Sequence, residues 1–176
     1  MKLKTILISV ILAFSATCMR AQQEYTGNVG YINTDSILLR IPEYVEGQKS
    51  LNSLAELYKD EIESKYKVIE QMYNTYMASK SRMTSYEQNQ KENEIVRRER
   101  EVKELQNDYF GPEGVMHEKS EELLSPIRDR VQQVVDKIAR RNGIMLIFDT
   151  AIMQGVIYND PGKDLSGLVL EELGIE

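Results

Sequence analysis

The chain has 176 residues, with 22 Lys and Arg against 28 Asp and Glu, one cysteine, one histidine and no tryptophan. A net charge of −6 disfavours general binding to nucleic acid or to an anionic membrane surface. A single cysteine excludes a disulfide within the chain, so stability has to come from burial or from association.

Residues 1–21 read as a secretory signal peptide. Lys2 and Lys4 give a positive start, residues 6–16 form an apolar run too short to span a bilayer, and small residues follow. Two processing routes fit: cleavage after Ala21 to leave Gln22, or a lipidated Cys18 behind Ser15-Ala16-Thr17. No later apolar run reaches the roughly 20 residues of a transmembrane helix. Without Lys2, Lys4 and Arg20 the remainder has 19 basic and 28 acidic residues, net −9. Residues 45–142 carry 17 basic and 19 acidic of these, and the flanking segments 2 and 9. Within the middle, residues 65–103 are locally positive, with 9 basic and 6 acidic.

Asn28-Val29-Gly30-Tyr31-Ile32-Asn33 is a short β-prone run, and Thr34 or Asp35 is placed to cap a brief helix through Ile41. Pro42-Glu43 restarts a helix at its first turn. Leu51, Leu54, Tyr58, Ile62, Tyr66, Ile69, Tyr73 and Tyr76 then follow in steps of three or four, the spacing of one helical face. From 45 to 83 such a helix would run roughly 58 Å at 1.5 Å per residue. Its stripe needs a partner, and the continuation of the chain supplies one. Thr84-Ser85-Tyr86-Glu87 has the capping-box pattern, so the reversal falls near Met83. The return limb carries Ile95, Val102, Leu105 and Tyr109, then Leu124, Ile127, Val131, Val134 and Ile138. Gly111-Pro112-Glu113-Gly114 breaks it, and Pro126 is expected near a helix start or at a mild kink.

Asn142-Gly143 signals a helix end. The apolar run at 144–148 predicts a strand buried on both faces, and Val156-Ile157-Tyr158 predicts another. Asn159-Asp160-Pro161-Gly162 is a turn, after which Asp164 or Ser166 caps a last helix bearing Leu165, Leu168, Val169 and Leu173. The fold class is therefore α+β and helix-dominated. Segments 22–44 and 143–176 make a small β-rich body, and residues 45–142 form a long inserted coiled-coil hairpin with its tip near 83–86 and a break at 111–114. The terminal segments supply about 20 and about 35 residues, too few for a comfortable core alone, which predicts association of several bodies.

Catalytic signals are weak. His117 lacks the second histidine of a zinc-protease helix and has no nucleophile elbow to serve, so neither a metal nor a cofactor is expected and the chain does not read as an enzyme. The 111–114 glycines lack the lysine and hydroxyl of a phosphate loop, and Asp149 reads as a turn or capping residue. What remains is a concentration of Tyr66, Met72, Tyr73, Tyr76, Met77, Met83 and Tyr86 in the distal hairpin. Tyr66, Tyr73 and Tyr76 fit the helical seam, whereas Met72, Met77 and Met83 fall off it. Adaptable thioethers and amphipathic tyrosines suit contact with many unrelated apolar chains.

Val29-Gly30-Tyr31-Ile32-Asn33, the hairpin, the 144–149 run, and Tyr158 followed by Asp164-Leu165-Ser166 together resemble the Skp/OmpH family of periplasmic chaperones over residues 28–173. The resemblance implies a homotrimer whose β-rich body carries helical tentacles, holding unfolded outer-membrane proteins in the periplasm without ATP. The body would be built from Val29, Tyr31, Ile32, Ile144, Leu146 and Ile147, and the seven distal Tyr and Met residues would meet the client. The best-known family member is strongly basic and this chain is acidic, so lipopolysaccharide binding is not carried over. The alternative is an envelope tether or adaptor, lipidated at Cys18, whose coiled coil binds one defined partner.

Overall fold

The computed structural model describes residues 28–175, so both processing routes at the N-terminus lie outside the described residues. Strand β1 (Val29–Ile32) pairs in parallel with β2 (Leu146–Asp149), placing Val29 opposite Leu146 and Tyr31 opposite Phe148. Parallel neighbours need a long crossover, and here the crossover is the entire helical arm. The ladder extends past both ends of the pair. Met145 donates its N–H to the Asn28 carbonyl at 2.9 Å, and Thr150 to that of Ile32 at 2.8 Å.

Helix α1 (Thr34–Leu38) is capped by Asn33, whose side chain accepts from the Ser36 N–H at 2.8 Å. The expected caps, Thr34 and Asp35, instead lie inside the helix. Thr34 is held by Asp149, which accepts from its N–H at 3.1 Å and from its hydroxyl at 2.5 Å. Asp149 thereby ties the end of β2 to the start of α1.

Helix α2 (Pro42–Ser79) begins at the proline, whose missing N–H costs nothing in a first turn, and runs 38 residues. A 3-10 turn (Lys80–Arg82) reverses the chain. Thr84 then opens α3 (Ser85–Phe110) through a reciprocal capping box with Glu87. Gly111–Gly114 interrupt the return limb before α4 (Val115–Asn142). Pro126 lies well inside α4 rather than at its start. Gly143 closes α4 in the left-handed conformation at φ 63°, which a side chain would resist, and turns the chain into β2. A 3-10 turn (Pro161–Lys163) and α5 (Ser166–Glu172) finish the fold. The Asp164 carboxylate accepts from the Ser166 N–H at 2.8 Å, and the Ser166 hydroxyl accepts from the Asn33 N–H at 2.9 Å. Leu165 donates its N–H to the Tyr31 carbonyl, so the α5 entry occupies part of the second edge of β1.

Two expectations are corrected. Residues 156–158 form no strand, because nothing among the described residues pairs with them. The 144–148 run is not buried on both faces. Ile147 packs on the core, while Leu146 and Phe148 point away from it and are exposed.

The body core gathers Ile32, Ile37, Leu38 and Ile41 from the N-terminal side, Val131, Val135 and Ile138 from α4, and Val169 and Leu170 from α5. Residues that the sequence reading assigned to the arm thus complete the body. The terminal segments do not have to make a core alone, and the size argument for association loses force accordingly.

Along the arm, α2 and α3 pack antiparallel around a second, narrower cluster of Ile69, Tyr76, Ile95 and Val102. Within each helix the buried pair is seven residues apart. The thinner hairpin buries one position per heptad and leaves its three-or-four-step neighbours at the flanks. Tyr58 stacks on Tyr109 with ring centroids 3.9 Å apart, beside the 111–114 break, and Tyr109 donates to Glu61 at 2.8 Å.

Candidate functional site

Two surfaces stand out, one on the body and one on the arm. In a parallel pair, residues in register point to the same side, so Val29, Tyr31, Leu146 and Phe148 share the outer face of the sheet. Val29, Leu146 and Phe148 are exposed there and Tyr31 is half-buried. The segment after β2 adds Ile152, Met153, Val156, Ile157 and Tyr158, all exposed, with Ile157 at 99 %. Residues of the sheet and of this segment enclose a concavity of about 370 Å³. Desolvation, then the carboxylates of Asp164 and Asp160, raise the Tyr31 phenol above its ordinary value, so it stays neutral. A monomer in water rarely displays so continuous an apolar surface without a use for it.

The residues assigned to the oligomerisation body separate into two groups. Val29, Tyr31 and Leu146 belong to the open face. Ile32 and Ile147 point inward, Ile32 as part of the buried core and Ile147 packed against it, and Ile144 is half-buried ahead of β2. Sequence reasoning missed Phe148, Ile152 and Ile157 as members of the open face. The uninterrupted apolar run is a signal for Phe148, but it predicts a strand buried on both faces rather than one with an open face.

On the arm, Tyr76 is 4 % exposed and closes the seam. Its hydroxyl donates to Glu92, which Lys80 also approaches at 3.2 Å, with the ammonium 5.1 Å from the centre of the Tyr76 ring. Hydrogen bonds from Tyr76 and then Lys80 lower the Glu92 carboxyl below its usual value. The Lys80 ammonium is raised by Tyr76 and then Glu92. Tyr76 is therefore an anchor for the tip, not a surface for a partner. Met72 and Met83 pack against the same cluster and are half-buried. Tyr66, Tyr73, Met77 and Tyr86 are exposed. For Tyr66 and Tyr73 this overturns the seam placement, because at seam-minus-three they sit on the flank of a hairpin only two helices thick. Val68 is exposed between them along the chain and was missed, as nothing in its spacing joins it to the stripe.

Among the described residues, no cluster of three or more His, Cys, Asp or Glu is arranged to hold a metal ion. No described helix is long and apolar enough to cross a membrane. Among the described residues, apolar surfaces and charge-laced helices stand without an enzyme-like motif.

No curated protein matches the chain. The sequence profile described as outer membrane protein (OmpH-like) matches residues 28–173. That stretch takes in β1, the whole arm, β2 and α5, and so the chain belongs to the OmpH-like outer membrane protein family.

Proposed function

We propose that this protein is an ATP-independent holdase of the periplasm, a homotrimer that keeps unfolded outer-membrane β-barrel proteins from aggregating. Membership in the OmpH-like family and a helix-dominated fold with a small sheet agree with a chaperone-type role. The observation that carries the reading is the division of apolar surface. The body closes its own core yet leaves the outer sheet face and residues 152–158 uncovered, which suits burial against further copies. The arm stands away from that core and keeps Tyr66, Tyr73, Met77 and Tyr86 at its surface, with Met72 and Met83 half-exposed beside them. Dispersed aromatic and thioether contacts favour weak, re-packable engagement of many sequences over tight capture of one. Such contacts cover client strands that would otherwise pair edge to edge.

The test is dilution of a denatured β-barrel protein into buffer with and without the purified protein, no nucleotide present, followed by light scattering. Scattering should fall to near baseline at about one trimer per client. Unchanged scattering at a several-fold excess would overturn the reading. Single alanine substitutions at Tyr73 or Met77 should change the result little, because affinity is spread over many contacts.

A further inference from the structure

All six methionines of residues 28–175 lie at the surface: Met77, Met145 and Met153 are exposed, and Met72, Met83 and Met116 are half-buried. Methionine is ordinarily among the residue types most often enclosed. No cysteine shares that stretch, so these thioethers are its only oxidisable sulfur. Three of them fall between 72 and 83, at the end of the arm, and they differ in what they touch. Met72 and Met83 pack against the buried cluster of Ile69, Tyr76, Ile95 and Val102, whereas Met77 stays 50 % exposed outside it. Met72 and Met83 also share a hollow of about 250 Å³, open to solvent, that reaches down to Tyr76 and Ile95.

Met83 is fastened through both of its backbone polar groups. Its N–H donates to the Lys80 carbonyl at 3.2 Å, and its carbonyl accepts from the Gln88 amide at 3.2 Å. Its sulfur lies 4.0 Å from the Ser79 hydroxyl, which already donates to the Thr75 carbonyl at 2.8 Å. The thioether is thus held over the seam, within reach of a molecule the size of peroxide, and the hydroxyl beside it is committed.

We infer that Met83, together with Met72, is a reversible oxidation site that sets how firmly the distal arm is closed. The oxidant is hydrogen peroxide. A sulfur lone pair attacks one peroxide oxygen, the O–O bond breaks and a sulfur–oxygen bond forms. Sulfur gives up two electrons, the second oxygen leaves as hydroxide and takes the proton of the transferred oxygen, and the products are a sulfoxide and one water. A sulfoxide oxygen is a polar acceptor that costs free energy in an apolar contact unless a donor meets it. On Met83 it competes with the Thr75 carbonyl for the Ser79 hydroxyl or turns out to water. Either way the apolar cover over Tyr76 and Ile95 is lost, and a seam that buries one residue per heptad has few covers to spare. Leucine would fill the same space without this chemistry. Oxidation of Met77 takes nothing from the cluster, which makes it an internal comparison. Thiol-dependent methionine sulfoxide reductases reverse the step, two thiols becoming a disulfide as the oxygen leaves in water. The switch is independent of what the arm binds.

Peptide mass spectrometry and amide hydrogen exchange on the peroxide-treated full-length protein test the assignment. Met72 and Met83 should each gain one oxygen under conditions that convert Met77. Exchange across the distal parts of α2 and α3 should then quicken about tenfold while α4 and α5 keep their rates, as expected for a local opening. Treatment with both epimer-specific reductases and a dithiol should restore the original rates. The double variant Met72→Leu, Met83→Leu, which conserves side-chain volume, should fold as wild type by circular dichroism and lose the response, and Met77→Leu should keep it. Resistance of Met72 and Met83 to peroxide, unchanged exchange after their oxidation, rates that reduction does not restore, or a full response in the double variant would each overturn the switch. Should the double variant not fold, Met83→Leu alone should still blunt the acceleration, and an undiminished response would count against the site.

Discussion

The body and the arm are built from similar residues but bury them differently. In the body, strands and helices meet from three directions, and Ile37, Ile41, Ile138 and Val169 are completely enclosed. In the distal arm, α2 and α3 meet along a single line, and the best-buried side chains of that seam, Tyr76 and Val102, are each still slightly exposed. A two-helix hairpin has no third layer to cover the flanks of its seam, so apolar residues one step off the line remain wet. The body therefore carries the stability of the chain, and the arm carries its adaptable surface. The ion pairs that lace the arm, such as Lys67 with Glu63 and Arg97 with Glu101, are exposed on both partners and keep it soluble more than they hold it together.

The sharpest way to break this contrast is to act where the body is open. Leu146→Asp on the outer sheet face should leave the monomer fold intact and, with the proposed trimer joined through that face, lower the mass seen by analytical ultracentrifugation by about two-thirds. If the mass is unchanged, that face is not what joins the copies.

Next in size are the two cores. Ile138→Ala removes a fully buried side chain from the body and should cost about 3 kcal/mol of global stability in a denaturant melt. Ile95→Ala in the thinner arm seam should cost less, about 1–2 kcal/mol, since the flanks can collapse into the gap. Hydrogen exchange should localise its effect to α2 and α3 beyond the 111–114 break. Equal global losses at the two sites would mean that arm and body form one cooperative unit.

The smallest effect concerns the α4–α5 contact. Glu172 accepts from Lys137 and from Arg141, and these two bonds, in that order, hold its carboxyl below the ordinary glutamate value. A depressed carboxyl stabilises the fold above its unfolded pKa of about 4.3, and the contribution fades as pH falls through the lower folded value. The melting temperature of the wild-type protein should therefore drop more steeply below about pH 4 than that of Glu172→Gln. Parallel curves would assign the pair no role.

The local features were legible in the sequence because each rests on a short stretch of chain. Pro42 at a helix start, the Thr84–Glu87 capping box, the break at Gly111–Gly114 and the Gly143 cap are all as read, each governed by the backbone chemistry of a few neighbouring residues. The alternation of strand-forming ends around a long helical middle was legible for the same reason. Which residues of the three-and-four stripe face inward was not. Periodicity defines a face some 100° wide, and only the thickness of the packed partner decides how much of it is covered. Hence Tyr76 is enclosed while Tyr66 and Tyr73, indistinguishable from it in spacing, are exposed. The apolar run at 144–148 likewise announced a strand but not how many of its faces one chain can cover. The inclusion of Val131, Val135 and Ile138 in the body core was decided by tertiary structure alone, because it depends on α4 packing against α5 and joining one cluster with Ile32 to Ile41, segments far apart in the chain.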